Sequence, residues 1–178
     1  MLYAFGFEQI GVVVGDLYFL DPNPNAGQDG AEHGVRLELR WLERAELKGS
    51  IYSAQPIVVD RPIWRVDLLE SVDGEPGSFD RTHHHPRFKE WDPTRRAFVE
   101  ELSAEPLVWL AARLADPESI LRDANVDPDQ VNGTDLTDLA AAADEIVAAA
   151  GRLLERVRAG ELGQAPGDDL VSARAGWL

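Results

Sequence analysis

The residues best equipped for chemistry sit together in one short stretch, Thr82-His83-His84-His85-Pro86. Proline disfavours the helical region for the residue before it, so Pro86 pushes His85 toward extended backbone. Side chains alternate across an extended segment. His83 and His85 then point to one side and His84 to the other. Two imidazoles one pleat repeat apart have the spacing to bind one metal ion or to flank one phosphate. Asp67, Asp80, Glu90, Glu38 and the separate His33 are candidates to complete or orient such a site. The competing expectation is structural: one histidine packs in the core while two make hydrogen bonds at a sheet edge.

Arginines bracket the block. Arg81, Arg87, Arg95 and Arg96 cluster around it in an otherwise acidic chain. The guanidinium fork binds phosphate or carboxylate through two parallel hydrogen bonds. With His83 and His85 as general base and acid, and Arg81 and Arg87 on phosphate, the set could cleave a phosphodiester without a metal or other cofactor. A divalent metal on His83, His85 and Glu90 is the alternative. The arginines could equally pair with Asp80, Glu90, Asp92 and Glu100.

Two metal motifs are nearly met. Gly77, His83, His85 and Glu90 follow the spacing G-x5-H-x-H-x4-E, which resembles the first metal motif of cupins. That motif also requires a glycine at position 97, which is Ala97, and a later histidine that the sequence lacks. Asp21, Asn23, Asn25, Asp29 and Glu32 match positions of a calcium-binding EF-hand loop. The turn glycine of that loop falls on Ala26, and Pro22 and Pro24 stiffen the segment. A solvated surface loop is the expected state. No Ser-His-Asp arrangement is readable from spacing, and no phosphate-cradling glycine loop precedes a helix.

Composition bounds what must hold these residues in place. The chain has 178 residues, 44% hydrophobic and 28% charged, with no cysteine. A chain of this length buries roughly 70% of its unfolded surface, enough for one core. Disulfides, thiolate zinc sites and a cysteine nucleophile are excluded. The formal net charge is −15. Lys48 and Lys89 are the only lysines. The pattern resembles proteins of salt-loving archaea, whose surface carboxylates stay hydrated while salt screens their repulsion. Nucleic acid is then expected to bind only through a local Arg/His patch. No run is apolar enough to span a bilayer, and the N-terminus shows no signal peptide, so a cytoplasmic location is expected.

The positioning elements change character near Pro86. Residues 3–20 read as strand, with Gly11 and Gly15 as bends. Residues 21–33 read as loop. Val35, Leu37, Leu39 and Trp41 alternate with Arg36, Glu38 and Arg40, the period-two pattern of a strand with one buried face. Strands follow over 50–59 and 63–71, the latter placing Ile63, Arg65, Asp67 and Leu69 on one face. Asp92-Pro93, Glu105-Pro106 and Asp116-Pro117 each read as an acidic N-cap and a first-turn proline. A last helix spans 134–159 with an apolar stripe at 3–4 spacing, capped by Gly160. That helix is the candidate surface for a protein partner or a homodimer. Residues 161–178 read as a weakly ordered tail. The expected fold is α+β: an antiparallel meander over residues 1–80, then a helical half over about 93–160, in a single domain of residues 1–160.

A strand meander closing on His83-His84-His85-Pro86 resembles the TumE-like proteins, small ribonuclease toxins of prokaryotic toxin–antitoxin pairs. The resemblance covers about residues 35–90. It implies a ribonuclease role for the same histidines and a toxin–antitoxin partner. The alternative is a non-catalytic interaction protein acting through the C-terminal helix.

Overall fold

The computed structural model describes residues 1–24, 26–46, 49 and 56–166. Five strands form one antiparallel sheet in sequence order: β1 (Leu2–Gly6), β2 (Ile10–Leu20), β3 (Ala31–Arg44), β4 (Ile57–Ser71) and β5 (His83–His85). A small hairpin follows, β6 (Phe88–Lys89) with β7 (Asp92–Pro93). Then come α1 (Glu100–Ala104), α2 (Pro106–Ala115), α3 (Pro117–Asp123), a 3-10 turn at Pro128–Gln130, α4 (Gly133–Ala141) and α5 (Ala143–Arg158). The architecture is α+β, as expected. Among the described residues no helix is long and apolar enough to cross a membrane.

Register divides the sheet into two chemically different faces. Val14, Leu37, Val66 and His84 lie side by side across four strands, next to the row Val12, Leu39 and Trp64. This face packs on the helices, where Leu110, Leu114, Ile146, Ala150 and Leu153 join it in one fully buried core. Burying such side chains stabilises by about 1.5–3 kcal/mol each. The opposite face carries Arg36, Glu38, Arg40, Arg65, Asp67, His83 and His85 in register.

Several expectations need correction. Residues 3–20 are two strands of a hairpin, not one, because the chain reverses between Gly6 and Ile10. The strands expected at 50–59 and 63–71 are continuous over Ile57–Ser71, with an irregular register around Arg40 and Pro62; residues 50–55 lie outside those described. Pro62 has no N–H to give the ladder, which fits the irregularity. Asp92-Pro93 does not open a helix. It closes the β6–β7 hairpin, with the Thr94 N–H donating to the Arg87 carbonyl, and helix begins only at Glu100. Asp116 does cap α3, accepting from the Ser119 N–H, whereas Glu105 makes no side-chain cap to α2.

The last helix is broken in two at Ala142. Its stripe is buried within the chain: Leu139, Ile146, Ala150, Leu153 and Val157 all face the interior. Asp135, in the first turn of α4, is itself buried. It accepts backbone hydrogen bonds from Glu8, Gln9 and Ile10 at 2.7–3.2 Å, which fastens the β1–β2 turn to α4. Of the tail, residues 161–166 are described and 167–178 lie outside the described residues.

Candidate metal centre

β5 is extended and pairs with β4, so Asp67 stands beside His83 and Arg65 beside His85. His83 and His85 project to the charged face and His84 to the core. The rings of His83 and His85 meet edge to face, with centroids 5.0 Å apart. Their Nε2 atoms lie 3.4 Å and 3.8 Å from Asp67 Oδ2. One ligand atom from each of the three side chains can be chosen so that all lie within 4.8 Å of one another. The group is enclosed: Asp67 and His83 are each 1% exposed and His85 is 7% exposed.

The ring orientations are fixed from behind. His83 Nδ1 is 2.7 Å from the Arg81 carbonyl oxygen, and His85 Nδ1 is 2.5 Å from the Thr94 carbonyl oxygen. A carbonyl only accepts, so each Nδ1 carries its proton and donates it. In the neutral ring Nε2 then presents a lone pair. Two such nitrogens and a carboxylate oxygen converge on one point. Backbone carbonyls that hold the remote nitrogen in this way are the usual outer support of metal-ligating histidines.

Charged groups surround the trio. Arg36 grips Asp67 with two hydrogen bonds, Nε to Oδ1 at 2.7 Å and Nη2 to Oδ2 at 3.0 Å. Glu38 is held between Arg65, at 2.7 Å from Nε, and Arg40. Burial works against ionisation of Asp67. The Arg36 charge and the two Arg36 hydrogen bonds outweigh it and hold the carboxyl far below the usual range. Burial pushes His85 down to about 4, against the hydrogen bond to Thr94 and the charge of Asp67. Three guanidinium groups face two carboxylates here, an excess of one positive charge.

A strap over residues 86–99 roofs this face. Ala97 exchanges two backbone hydrogen bonds with His84, at 2.9 and 3.0 Å, and so extends the sheet edge. Phe98 lies 5.6 Å from the His83 ring and Phe88 lies 6.5 Å from His85. Arg65 stacks on Phe88 at 5.0 Å and Arg40 on Trp91 at 5.3 Å. These contacts tie the strap to the sheet arginines.

His84 has a separate role. It sits in the core between Trp64 and Trp109, with centroids 6.4 Å and 5.3 Å away, and lies 3.4 Å from the Trp64 indole nitrogen. Indole N–H only donates, so His84 Nδ1 accepts and the ring is neutral there. Burial and then the Arg113 charge push it down to about 4.

Other candidate residues lie elsewhere. Arg81 donates to the carbonyls of Gly27 and Asp29 and pairs with Asp80, and Arg87 donates to the carbonyl of Asp123. Glu90 is exposed on the β6–β7 turn and is not in the ligand trio; Asp67 takes that place. Arg96 pairs with buried Glu32 at 2.8 Å, and this engages the last carboxylate of the EF-hand-like loop, whose Asn25 lies outside the described residues. The arginines at the histidines are Arg36, Arg40 and Arg65 instead. Their alternation along β3 and β4 was the available signal, but it reads as a solvated face unless the strap is known. No protein-family model matches the chain, and no curated protein or solved structure matches it either.

Proposed function

We propose that this protein is a metal-dependent phosphodiester hydrolase whose metal is held by Nε2 of His83, Nε2 of His85 and Oδ2 of Asp67. The observation that carries the reading is the pair of Nδ1 hydrogen bonds to the Arg81 and Thr94 carbonyls, which turns both Nε2 lone pairs toward Asp67. Ligand atoms bound at about 2.0–2.1 Å to a tetrahedral ion stand roughly 3.3 Å apart. The 3.4 and 3.8 Å separations are close to that spacing. Histidine nitrogens with one carboxylate suit zinc, iron or manganese rather than calcium.

Three protein ligands leave a position for water. A metal there supplies Lewis acidity and lowers the pKa of the water it binds. The net reaction adds one water across a P–O ester bond. A dication added to the local positive excess favours an anionic further ligand, either hydroxide or a phosphate oxygen. This supports an anionic substrate in spite of the chain's overall charge. The phosphodiester class is also the one the TumE-like resemblance implies. Relative to the expectation from sequence, Asp67 takes the place of Glu90, and Arg36 and Arg65 take the place of Arg81 and Arg87.

The test is hydrolysis of bis(p-nitrophenyl) phosphate by metal-loaded and chelator-treated protein. Activity that appears with zinc, manganese or iron and disappears in His83→Ala supports the proposal. Activity undiminished in chelator contradicts the metal, and no activity with any of the three metals contradicts the reaction class.

A further inference from the structure

A cavity of about 290 Å³ opens beside Phe88, with no histidine in its lining. Trp41 and Phe88 wall it, and Arg61, Glu90, Asn125 and Gln130 stand around it. Its size is at the small end of ligand pockets, which run from roughly 300 to 1,000 Å³. Three observations separate it from an ordinary surface hollow.

The first is backbone geometry. The positive-φ residues other than glycine are Phe79, Glu90 and Asn125 among those described, and two of the three line this cavity, at φ 58° and 60°. Asn125 takes this conformation where α3 ends and Glu90 at the tip of the β6–β7 hairpin, so both side chains stand on tight turns that edge the cavity. The second is Arg61. Most arginines near the sheet are engaged with a carboxylate, a carbonyl or a ring, whereas Arg61 has no ion-pair partner among the described residues. The third is position. Phe88 is a wall of the cavity and also lies against His85 and under Arg65, so one aromatic ring separates cavity and centre.

The chemistry of the lining selects a ligand. Trp41 and Phe88 offer ring surfaces for stacking a planar group. Asn125 and Gln130 supply both donors and acceptors for the edge of a heterocycle, and Glu90 accepts from a ring amino group. Arg61 supplies a fork for phosphate. A neighbouring hollow shares Trp41, Arg61 and Gln130, but Asp60 and Glu43 stand in its wall, so an anionic group belongs on the Arg61 side of the first cavity.

We propose that this cavity binds a nucleotide, its base between Trp41 and Phe88 and its phosphate on Arg61. Naming the nucleotide as part of the substrate rests on the hydrolase reading above; the binding itself does not require the metal.

The experiment is calorimetric titration of the full chain with AMP, GMP, CMP and UMP, with adenosine and inorganic phosphate as controls. It is run on metal-free protein, so that a failure of the metal centre cannot mask or mimic the result. Binding of at least one nucleoside monophosphate is expected, tighter than adenosine or phosphate alone. Arg61→Ala removes a charge-assisted hydrogen bond and should weaken it at least about tenfold. Asn125→Gly keeps the positive φ, deletes the amide and should also weaken it. Arg61 is exposed and has no ion-pair partner among the described residues, so its variant should melt like the parent. Absence of binding by all four nucleotides at millimolar concentration overturns the proposal. So does affinity unchanged in both variants, or phosphate alone binding as tightly as the nucleotides.

Discussion

His83 Nε2 stands 3.4 Å from Asp67 Oδ2, while the Arg81 carbonyl behind the ring accepts the hydrogen bond donated by Nδ1. The relationship is made by two neighbouring strands: β4 supplies the carboxylate, and β5 with the turn before it supplies the ring and its support. Asp67 is also the anchor of Arg36. One side chain thereby neutralises a half-buried cation and completes the trio.

Asp67→Asn should therefore destabilise the fold. It leaves the half-buried Arg36 without its charge partner, and because that side chain keeps 31% exposure the cost falls below the about 3–5 kcal/mol of breaking a fully buried pair. Urea unfolding of metal-free protein should show that loss. Arg36→Leu in the same background should recover part of it, since no cation is then left uncompensated. If the double variant is as unstable as Asp67→Asn alone, the pairing is not what Asp67 contributes.

Asp135 makes a purely structural prediction. Its carboxylate accepts from three backbone N–H groups of the β1–β2 turn. Asp135→Ala leaves them unpaired, at about 1–3 kcal/mol for each one that water cannot reach. The unfolding midpoint should fall markedly, whereas Asp138→Ala, on the exposed side of the same helix, should change it little.

Gly34 marks a close approach of β3 to β4. A Cβ there would lie 2.0 Å from the Leu68 carbonyl oxygen, a contact that only backbone movement can relieve. Gly34→Ala should destabilise by more than about 2 kcal/mol. The β3–β4 pairing beneath Asp67 should loosen first, seen as faster amide exchange at Leu68 and Leu69.

His84 predicts an acid dependence. Its folded pKa is about 4, depressed from 6.5, so the unfolded chain takes up a proton more readily than the folded one. The stability from the neutral ring is present above pH 6.5 and is lost as pH falls toward 4. A shift of that size is worth about 3 kcal/mol at most. Stability of chelator-treated protein measured from pH 7.5 down to 4.5 should fall more steeply in the parent than in His84→Gln. Equal slopes would show that His84 is not buried neutral.

Much of this arrangement was legible before the fold. The alternation in β3, the face shared by Arg65, Asp67 and Ile63, and the split of His84 from His83 and His85 follow from period two and Pro86. Asp67 was visible as a candidate ligand but had no local claim over Glu90, because strand pairing brings it to His83 across sixteen residues. The strap was not legible at all. Asp92-Pro93 has the local chemistry of a helix start, but it is held as a hairpin by the β6–β7 pairing, the Thr94–Arg87 hydrogen bond and the stacking of Phe88 and Trp91 on Arg65 and Arg40. Without the strap the arginines and carboxylates of β3 and β4 read as solvated. Arg81 and Arg87 are engaged elsewhere, by the carbonyls of Gly27 and Asp29 and of Asp123, since neighbours in sequence need not be neighbours of the site.

Metal content is the most direct test of the central claim. The protein is purified without a polyhistidine tag, a metal column or a chelator, and its zinc, iron and manganese are counted by plasma mass spectrometry. About one equivalent is predicted for the parent, falling below about a tenth in His83→Ala and in His85→Ala, with His84→Gln unchanged. Metal-free parent protein that also fails to take up any of the three ions on dialysis, or equal metal in the parent and both alanine variants, would contradict the account.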